Sequence, residues 1–465
     1  MVKMTQLPLQ SIDPKAAMLH NTRLSTTAYG VTLMKIPQIL LIEVEHAPGN
    51  LARVLQQVGD EGLTVSNLEA TNRTPTHTLW ELTIEVDEQE ELNLVDHINA
   101  LPCANIKGLS DRVFDRHKGG KIKTVSKVQL SSQQVLRDIY TPGVARVCLA
   151  IQDDPKKADD YTNIKNTVAV VTNGTAILGL GDIGAVAGMP VMEGKAALFD
   201  AYADLSGVPI LIESKDSQKI IDTVEAIAPS FGAIQLEDIG SPECFEIEEA
   251  LIDKLNIPVL HDDQHGTAVV ALAALISATK SVGKELRNSS IGQIGLGAAG
   301  IGISRLLLQY GVKEVIGSDL NKDAIQRLEG LGGKSASLNE LMETADIVIS
   351  TTGVKGLIKP EMVQQGQVIL ALTNPDPEIE PEVAIKAGAA FAADGKSVNN
   401  VLGFPGLFRG VIDAGVKTFS DAVLIAAAEC LAENAPEGML IPDPLDRAVH
   451  DKVAAAVKEA ALSTN

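Results

Sequence analysis

Two neighbouring stretches, Ala233-Ile-Gln-Leu-Glu-Asp-Ile-Gly240 and Ile257-Pro-Val-Leu-His-Asp-Asp-Gln-His-Gly-Thr267, decide the fold. Ala233 to Leu236 and Ile257 to Leu260 are short apolar runs that read as buried strands. Between them, Cys244 to Leu255 carries Ile247, Leu251, Ile252 and Leu255 at helical spacing. Strand, helix, strand in so short a span implies a crossover between parallel strands. Both strands then end at one edge of the sheet, the first in Glu237-Asp238 and the second in Asp262-Asp263. Carboxylates gathered there repel one another unless a cation lies between them. Oxygen ligands without nearby cysteine favour Mg²⁺ or Mn²⁺ over zinc. Helix N-capping is the competing reading, because each acidic pair precedes a helix. His261 and His265 have helical spacing, but the first falls on the strand or turn, so a zinc pair is not expected.

The chain has 465 residues, 45% of them hydrophobic, which is enough for two or three domains with real cores. A net charge of −21 makes nucleic acid and anionic membrane poor partners. No apolar segment has the length of a membrane span, and the first thirty residues do not read as a signal peptide. Cys103, Cys148, Cys244 and Cys430 are scattered without metal-binding spacing, as suits a reducing cytoplasm.

A second decisive stretch is Ser290-Ile-Gly-Gln-Ile-Gly-Leu-Gly-Ala-Ala-Gly300, a strand running into GxGxxG and then a helix to about Tyr310. The strand Val312 to Gly317 follows, ending at Ser318-Asp319. This is the order of a dinucleotide-binding fold. Gly295 and Gly297 let the backbone approach a pyrophosphate, and the helix start at Ala298, Ala299, Gly300 and Ile301 favours its charge. Asp319 would accept from ribose hydroxyls and repel a 2′-phosphate, predicting NAD rather than NADP. Strands Ile347–Ser350 and Val368–Ala371 end at the same edge, before Thr351-Thr-Gly and Thr373-Asn374-Pro. Asn374 either contacts cofactor or substrate there, or simply forms the turn before proline.

Elsewhere, residues 1–35 read as an extension, 36–111 as a small α+β domain, 112–285 as the metal-bearing domain, 286–400 as the Rossmann domain and 401–465 as helices packing back. Residues 112 to 135, basic and glycine-rich, suit a linker. Val168 to Thr172, then Asn173-Gly174, then Ala176 to Leu180 reads as a hairpin. Gly179 to Gly184 also fits GxGxxG, but no long helix follows at once, so it is not taken as a nucleotide fingerprint. Lys195 reads as opening a helix among apolar neighbours. The local dipole and burial would lower its pKa and suit it to act as a base, although a snorkelling lysine has the same pattern.

The order strand, helix, strand, strand, helix, strand between residues 37 and 110 is that of a ferredoxin-like sandwich. With its Ala47-Pro-Gly-Asn-Leu51 turn, it resembles an ACT domain. The resemblance implies an amino acid or other small effector bound between paired domains, facing Gly49, Asn50, Leu51 and Asn67. A dimerising module that binds nothing is the alternative.

Residues 112 to 465 resemble malic enzyme, most closely its smaller bacterial form. The likeness is carried by Tyr140-Thr-Pro-Gly-Val, Glu-Gly-Lys195-Ala, Gln-Leu-Glu237-Asp238, His-Asp262-Asp263-Gln-His-Gly, the Rossmann fingerprint, Thr-Asn374-Pro and Asn399-Asn400-Val-Leu-Gly-Phe-Pro-Gly. It implies NAD-linked oxidative decarboxylation of malate to pyruvate in a homodimer or higher even-numbered oligomer. Glu237, Asp238 and Asp263 would hold the metal, Lys195 accept a proton, Tyr140 donate one, and Asp262 orient its neighbours. Asn374 and Asn400 would bind the substrate carboxylate. Where longer malic enzymes carry an arginine after an Asp-Gly-Glu turn, this chain has Asn173-Gly-Thr-Ala176, so the anchor of the distal carboxylate is unassigned. Another metal-dependent β-hydroxyacid dehydrogenase, an oxaloacetate decarboxylase and an inactive amino-acid sensor are the alternatives.

Overall fold

The computed structural model describes residues 36–86, 94–177, 179–374, 376–398 and 400–463. The expected extension over 1–35, the start of the second small-domain helix and Asn399 lie outside the described residues. The chain divides into two compact units between Lys121 and Ile122.

In the first unit, strands β1 (Ile36–Glu45), β2 (Thr64–Arg73), β3 (His77–Val86) and β4 (Ala104–Asp111) form an antiparallel sheet in the order β2-β3-β1-β4. Alternation along β1 sends Leu40, Ile42 and Val44 to the helix-covered face, where they meet Leu82 and Ile84. The helix Asn50–Asp60 contributes Val54 and Val58 at four-residue spacing, and Leu94–Asn99 contributes Leu94 and Ile98 in the same way. This is the ferredoxin-like order read from the sequence. A short helix, Arg112–His117, stands where the linker was expected to begin.

The second unit holds two wholly parallel sheets. In the first, β5 (Thr167–Thr172), β6 (Ser206–Leu211), β7 (Ala233–Leu236) and β8 (Val259–His261) lie in the order β6-β5-β7-β8. The expected crossover joins β7 to β8 through the helix Glu243–Lys254. The expected hairpin is absent among the described residues. β5 is hydrogen-bonded on both sides by parallel strands, so no edge is left for a returning strand, and only an isolated bridge joins Ile177 to Gly181. Burial of Val168 to Val171 between two partners outweighs the local turn preference of Asn173-Gly174.

The other sheet contains β9 (Ser290–Ile294), β10 (Glu314–Ser318), β11 (Lys334–Ser335), β12 (Ile347–Ser350), β13 (Val368–Ala371) and β14 (Phe391–Asp394). Its order, β11-β10-β9-β12-β13-β14, is the 3-2-1-4-5-6 arrangement of a Rossmann domain. The helix Asp262–Ser281 packs against the helix Ala298–Tyr310 and links the two sheets. At their crossing a Cβ on Gly302 would lie 2.3 Å from the Gln264 carbonyl oxygen, so only glycine fits. The helices Phe404–Ala414 and Arg447–Ser463 return to pack on the helix Met189–Ala203. Phe199 meets Phe404 and Phe408 edge-on there, with centroids 5.0 and 5.2 Å apart. No helix among the described residues is long and apolar enough to cross a membrane.

Candidate active site

The parallel pairing of β7 with β8 brings the two acidic strand ends together. Carboxylate oxygens of Glu237, Asp238 and Asp263 all lie within 4.8 Å of one another. Glu237 and Asp238 are buried, and Asp263 is half-buried. Asp238 adopts the left-handed conformation, φ 52°, rare for a residue with a side chain. Its backbone N–H donates to Asp263 Oδ2 at 2.9 Å, and its carbonyl accepts from Ala176 N at 3.0 Å. Capping does not account for these acids. The N-cap of Asp262–Ser281 is His261, without a side-chain cap bond, and the helix after Glu237-Asp238 starts only at Glu243. Three carboxylates without a thiolate fit a hard divalent cation.

Lys195 is buried and faces this cluster, its Nζ 3.1 Å from Glu237 Oε1 and 2.5 Å from Asp262 Oδ2. The Phe404 ring covers the ammonium at 4.6 Å from its centroid. Two expectations about this lysine are corrected. It lies well inside the helix Met189–Ala203, whose first residues are Met189-Pro190, rather than opening it. Its pKa is raised rather than lowered. Burial works against the charge, but Asp262, Glu237 and Asp263 together outweigh it. The acids respond in the opposite sense to burial. Desolvation holds Glu237 well above the carboxylate range despite Lys195, with Asp262, Asp263 and Asp238 adding to the rise. Burial likewise raises Asp262, against the pull of Lys195.

Asp262 Oδ2 also accepts from Asn400 Nδ2 at 2.9 Å, so one oxygen joins Lys195 to the Asn400 segment. Its other oxygen is buried without a hydrogen-bond partner among the described residues. Gln235, not singled out from the sequence, donates from Nε2 to Glu237 Oε2 at 2.5 Å. It sits two residues before Glu237, so the period of a strand could have placed both on one face. Glu248 was also passed over. This buried carboxylate accepts from His261 N at 2.6 Å, Gln264 Nε2 at 2.9 Å and His265 Nε2 at 3.1 Å, fixing the turn that carries Asp262 and Asp263. Its signal was a lone acid on the helix stripe shared with Cys244 and Leu251.

The structure does not bring Tyr140 to this cluster. It ends the helix Gln133–Ile139, is 67% exposed, and has no hydrogen bond to Lys195. Neither that helix nor the next, Val144–Asp153, buries any residue.

At the carboxyl end of β9, Gly295 has φ 86°, and a Cβ on Gly300 would meet the Gly295 carbonyl oxygen at 1.9 Å. Gly297 precedes the helix start at Ala298, Ala299, Gly300 and Ile301, whose first turn carries no acid. No side chain caps this helix start either, which suits a pyrophosphate. Asp319, at the end of β10, accepts from Leu296 N at 2.6 Å and Asn321 N at 2.7 Å. Asn374 is exposed on the loop after β13, its carbonyl oxygen beside Gly179. In the first unit, Asn67 is exposed on β2, whereas Asn50 is buried and donates to Glu45 O at 3.1 Å. Gly49 is left-handed before the helix, and Leu51 is half-buried.

Residues 119–252 match the family model of the malic enzyme N-terminal domain, and 264–332 that of the malic enzyme NAD binding domain. The chain is 54% identical to NAD-dependent malic enzyme 1 of Bacillus subtilis over 91% of this chain and 97% of that protein. It is 40% identical to NAD-dependent malic enzyme of Geobacillus stearothermophilus over 88% and 90%. The crystal structure of malic enzyme from Pyrococcus horikoshii superposes with a TM-score of 0.72 at 41% identity, covering 76% of this chain and 90% of that one.

Proposed function

Since the chain belongs to the malic enzyme family, we infer that it oxidatively decarboxylates L-malate to pyruvate and CO₂, reducing NAD. The observation that carries this reading is the contact of Lys195 with Glu237 and Asp262, beside three carboxylates sized for one cation. Glu237, Asp238 and Asp263 would hold a Mg²⁺ or Mn²⁺, which would supply Lewis acidity for the decarboxylation. Lys195 takes the proton from the C2 hydroxyl as hydride leaves C2, acting as the neutral amine, a form that a divalent cation on the neighbouring carboxylates would favour by repelling the ammonium. Asp262 holds the Lys195 side chain in place, and the Asn400 amide, bonded to the same oxygen, orients the substrate carboxylate. Asn374, exposed on the loop after β13, contacts the cofactor or the substrate carboxylate in this reading. Tyr140 protonates C3 of the enol formed when CO₂ leaves. A phenol is a weak acid in water, so it works beside a cation. Asp319 favours NAD over NADP by repelling a 2′-phosphate.

Tyr140, Leu136, Ile139 and Leu149 are all exposed on or beside helices that have no fully buried residue. A homodimer, or a higher even-numbered assembly, covers this face, and Tyr140 acts in that assembly. The ferredoxin-like unit is an ACT-like module through which an amino acid shifts activity. Deleting residues 1–110 should then abolish effector response and keep turnover. A truncated enzyme that still responded would move the sensing site elsewhere. The free, scattered cysteines are in keeping with a cytoplasmic enzyme.

Absorbance of the reduced cofactor with L-malate and Mn²⁺, run in parallel with NAD⁺ and NADP⁺, tests the reaction. Reduction of NAD⁺ with pyruvate as product is expected. Folded, metal-loaded protein that reduces neither cofactor would overturn the reading.

A further inference from the structure

Behind the loops that follow β12 and β13 lies a carboxylate with no part in the chemistry above. Glu378 is 0% exposed. Its Oε1 accepts from Thr352 N at 2.7 Å, Thr352 Oγ1 at 2.9 Å and Thr373 Oγ1 at 2.6 Å. Thr352 belongs to the turn after β12, and Thr373 directly precedes Asn374 after β13. The same two hydroxyls accept from Val354 N at 3.1 Å and Gly353 N at 3.0 Å. Glu378 Oε2 is buried with no hydrogen-bond partner among the described residues.

An apolar side chain would fill this volume without desolvating a carboxylate. What Glu378 adds is a single oxygen on which donors from two loops converge. The network reaches the glycine loop as well. Thr351 Oγ1 accepts from Gln293 Nε2 at 3.1 Å, and a Cβ on Gly295 would lie 2.8 Å from Thr351 O. We propose that Glu378 is a positioning residue for the dinucleotide: it ties the loops after β12 and β13 together, so that they present fixed backbone beside the Gly295 turn. Ligands of open parallel sheets bind at this carboxyl edge, where the strand order reverses around β9. The assignment rests on the reading that NAD occupies this edge.

The test uses the full chain as wild type, Glu378→Ala and Glu378→Gln. NADH affinity is read by fluorescence titration, Mn²⁺ affinity by electron paramagnetic resonance, and KM for NAD⁺ separately. Glu378→Ala should weaken NADH binding and raise KM for NAD⁺ by between about tenfold and a hundredfold, the scale of a lost positioning group. Mn²⁺ affinity should stay put, and Glu378→Gln, which keeps the acceptor oxygen, should restore NADH binding. An alanine variant that binds NADH like wild type, or that loses NADH and Mn²⁺ together, would overturn the assignment. So would a glutamine variant as impaired as alanine. If Glu378→Ala does not fold, Thr373→Val removes one of the three bonds to Glu378, together with the acceptor of Gly353 N, at nearly constant shape, and unchanged NADH affinity there is equally decisive against it. Wild-type protein that fails to bind NADH would instead remove the cofactor reading itself.

Discussion

Asn400 donates to Asp262 across 138 positions of sequence, and Lys195 donates to the same oxygen. The segment after the Rossmann strands is thereby fastened to the carboxylate that holds Lys195.

Asn400→Asp should therefore be worse than Asn400→Ala. The alanine loses a hydrogen bond and, with it, the substrate contact proposed for this amide, whereas the aspartate sets a second carboxylate against buried Asp262. KM for malate should rise in both, and the melting temperature should fall further in the aspartate variant. Equal melting temperatures would mean that the contact opens freely in solution.

Lys195→Ala should lose turnover by at least about a hundredfold, as befits a proton-transfer group, while NADH still binds. The variant also leaves Glu237 and Asp262 without their cation. Its metal-free form should melt below wild type, and Mn²⁺ should raise its melting temperature more than it raises that of wild type. Unchanged turnover would remove Lys195 from the chemistry.

Gln235→Leu removes the amide that holds Glu237 Oε2. Loss of such an outer contact typically weakens metal binding by about tenfold to a hundredfold. Titration of free Mn²⁺ by electron paramagnetic resonance measures it, and a wild-type affinity would make this hydrogen bond idle.

Acid stability should depend on Glu248. Burial alone would raise its pKa, but the His265 ring, the His261 ring and the His261 N–H outweigh burial and hold it below its ordinary value of 4.5. The stabilisation is present above that ordinary value and is lost as pH falls through the depressed folded value. Glu248→Gln should flatten the acid limb of the stability curve below about pH 4.5, measured by denaturant unfolding across pH. A limb as steep as that of wild type would place the acid sensitivity in other carboxylates.

Much of this was legible because buried parallel strands are short apolar runs, and the residues just past their carboxyl ends are the ones that can face a ligand. The run Ser290–Ile294 and the acids after Leu236 and His261 are of this kind. The helix start at Met189-Pro190 was also written in the chain, since proline is at home in a first turn, and it places Lys195 deeper than its apolar neighbours suggested. The fate of Asn173-Gly174 was not legible, because strand partners far away in sequence had already taken both edges of β5. Nor was the separation of Tyr140 from Lys195, since a motif names a residue without saying which surface it occupies. Glu248 and Glu378 escaped notice because an acid reads as solvated until its donors are known.

Where Gly302 meets Gln264, two helices touch main chain to main chain, with no side chain between them to change rotamer and take up a shift. Each contact residue lies near the start of its helix, one just beyond the glycine loop and the other beside Asp263. The two helix starts thus behave as one lever. A shift of either helix start is therefore passed directly to the other, so the glycine loop and the turn carrying Asp263 are mechanically joined.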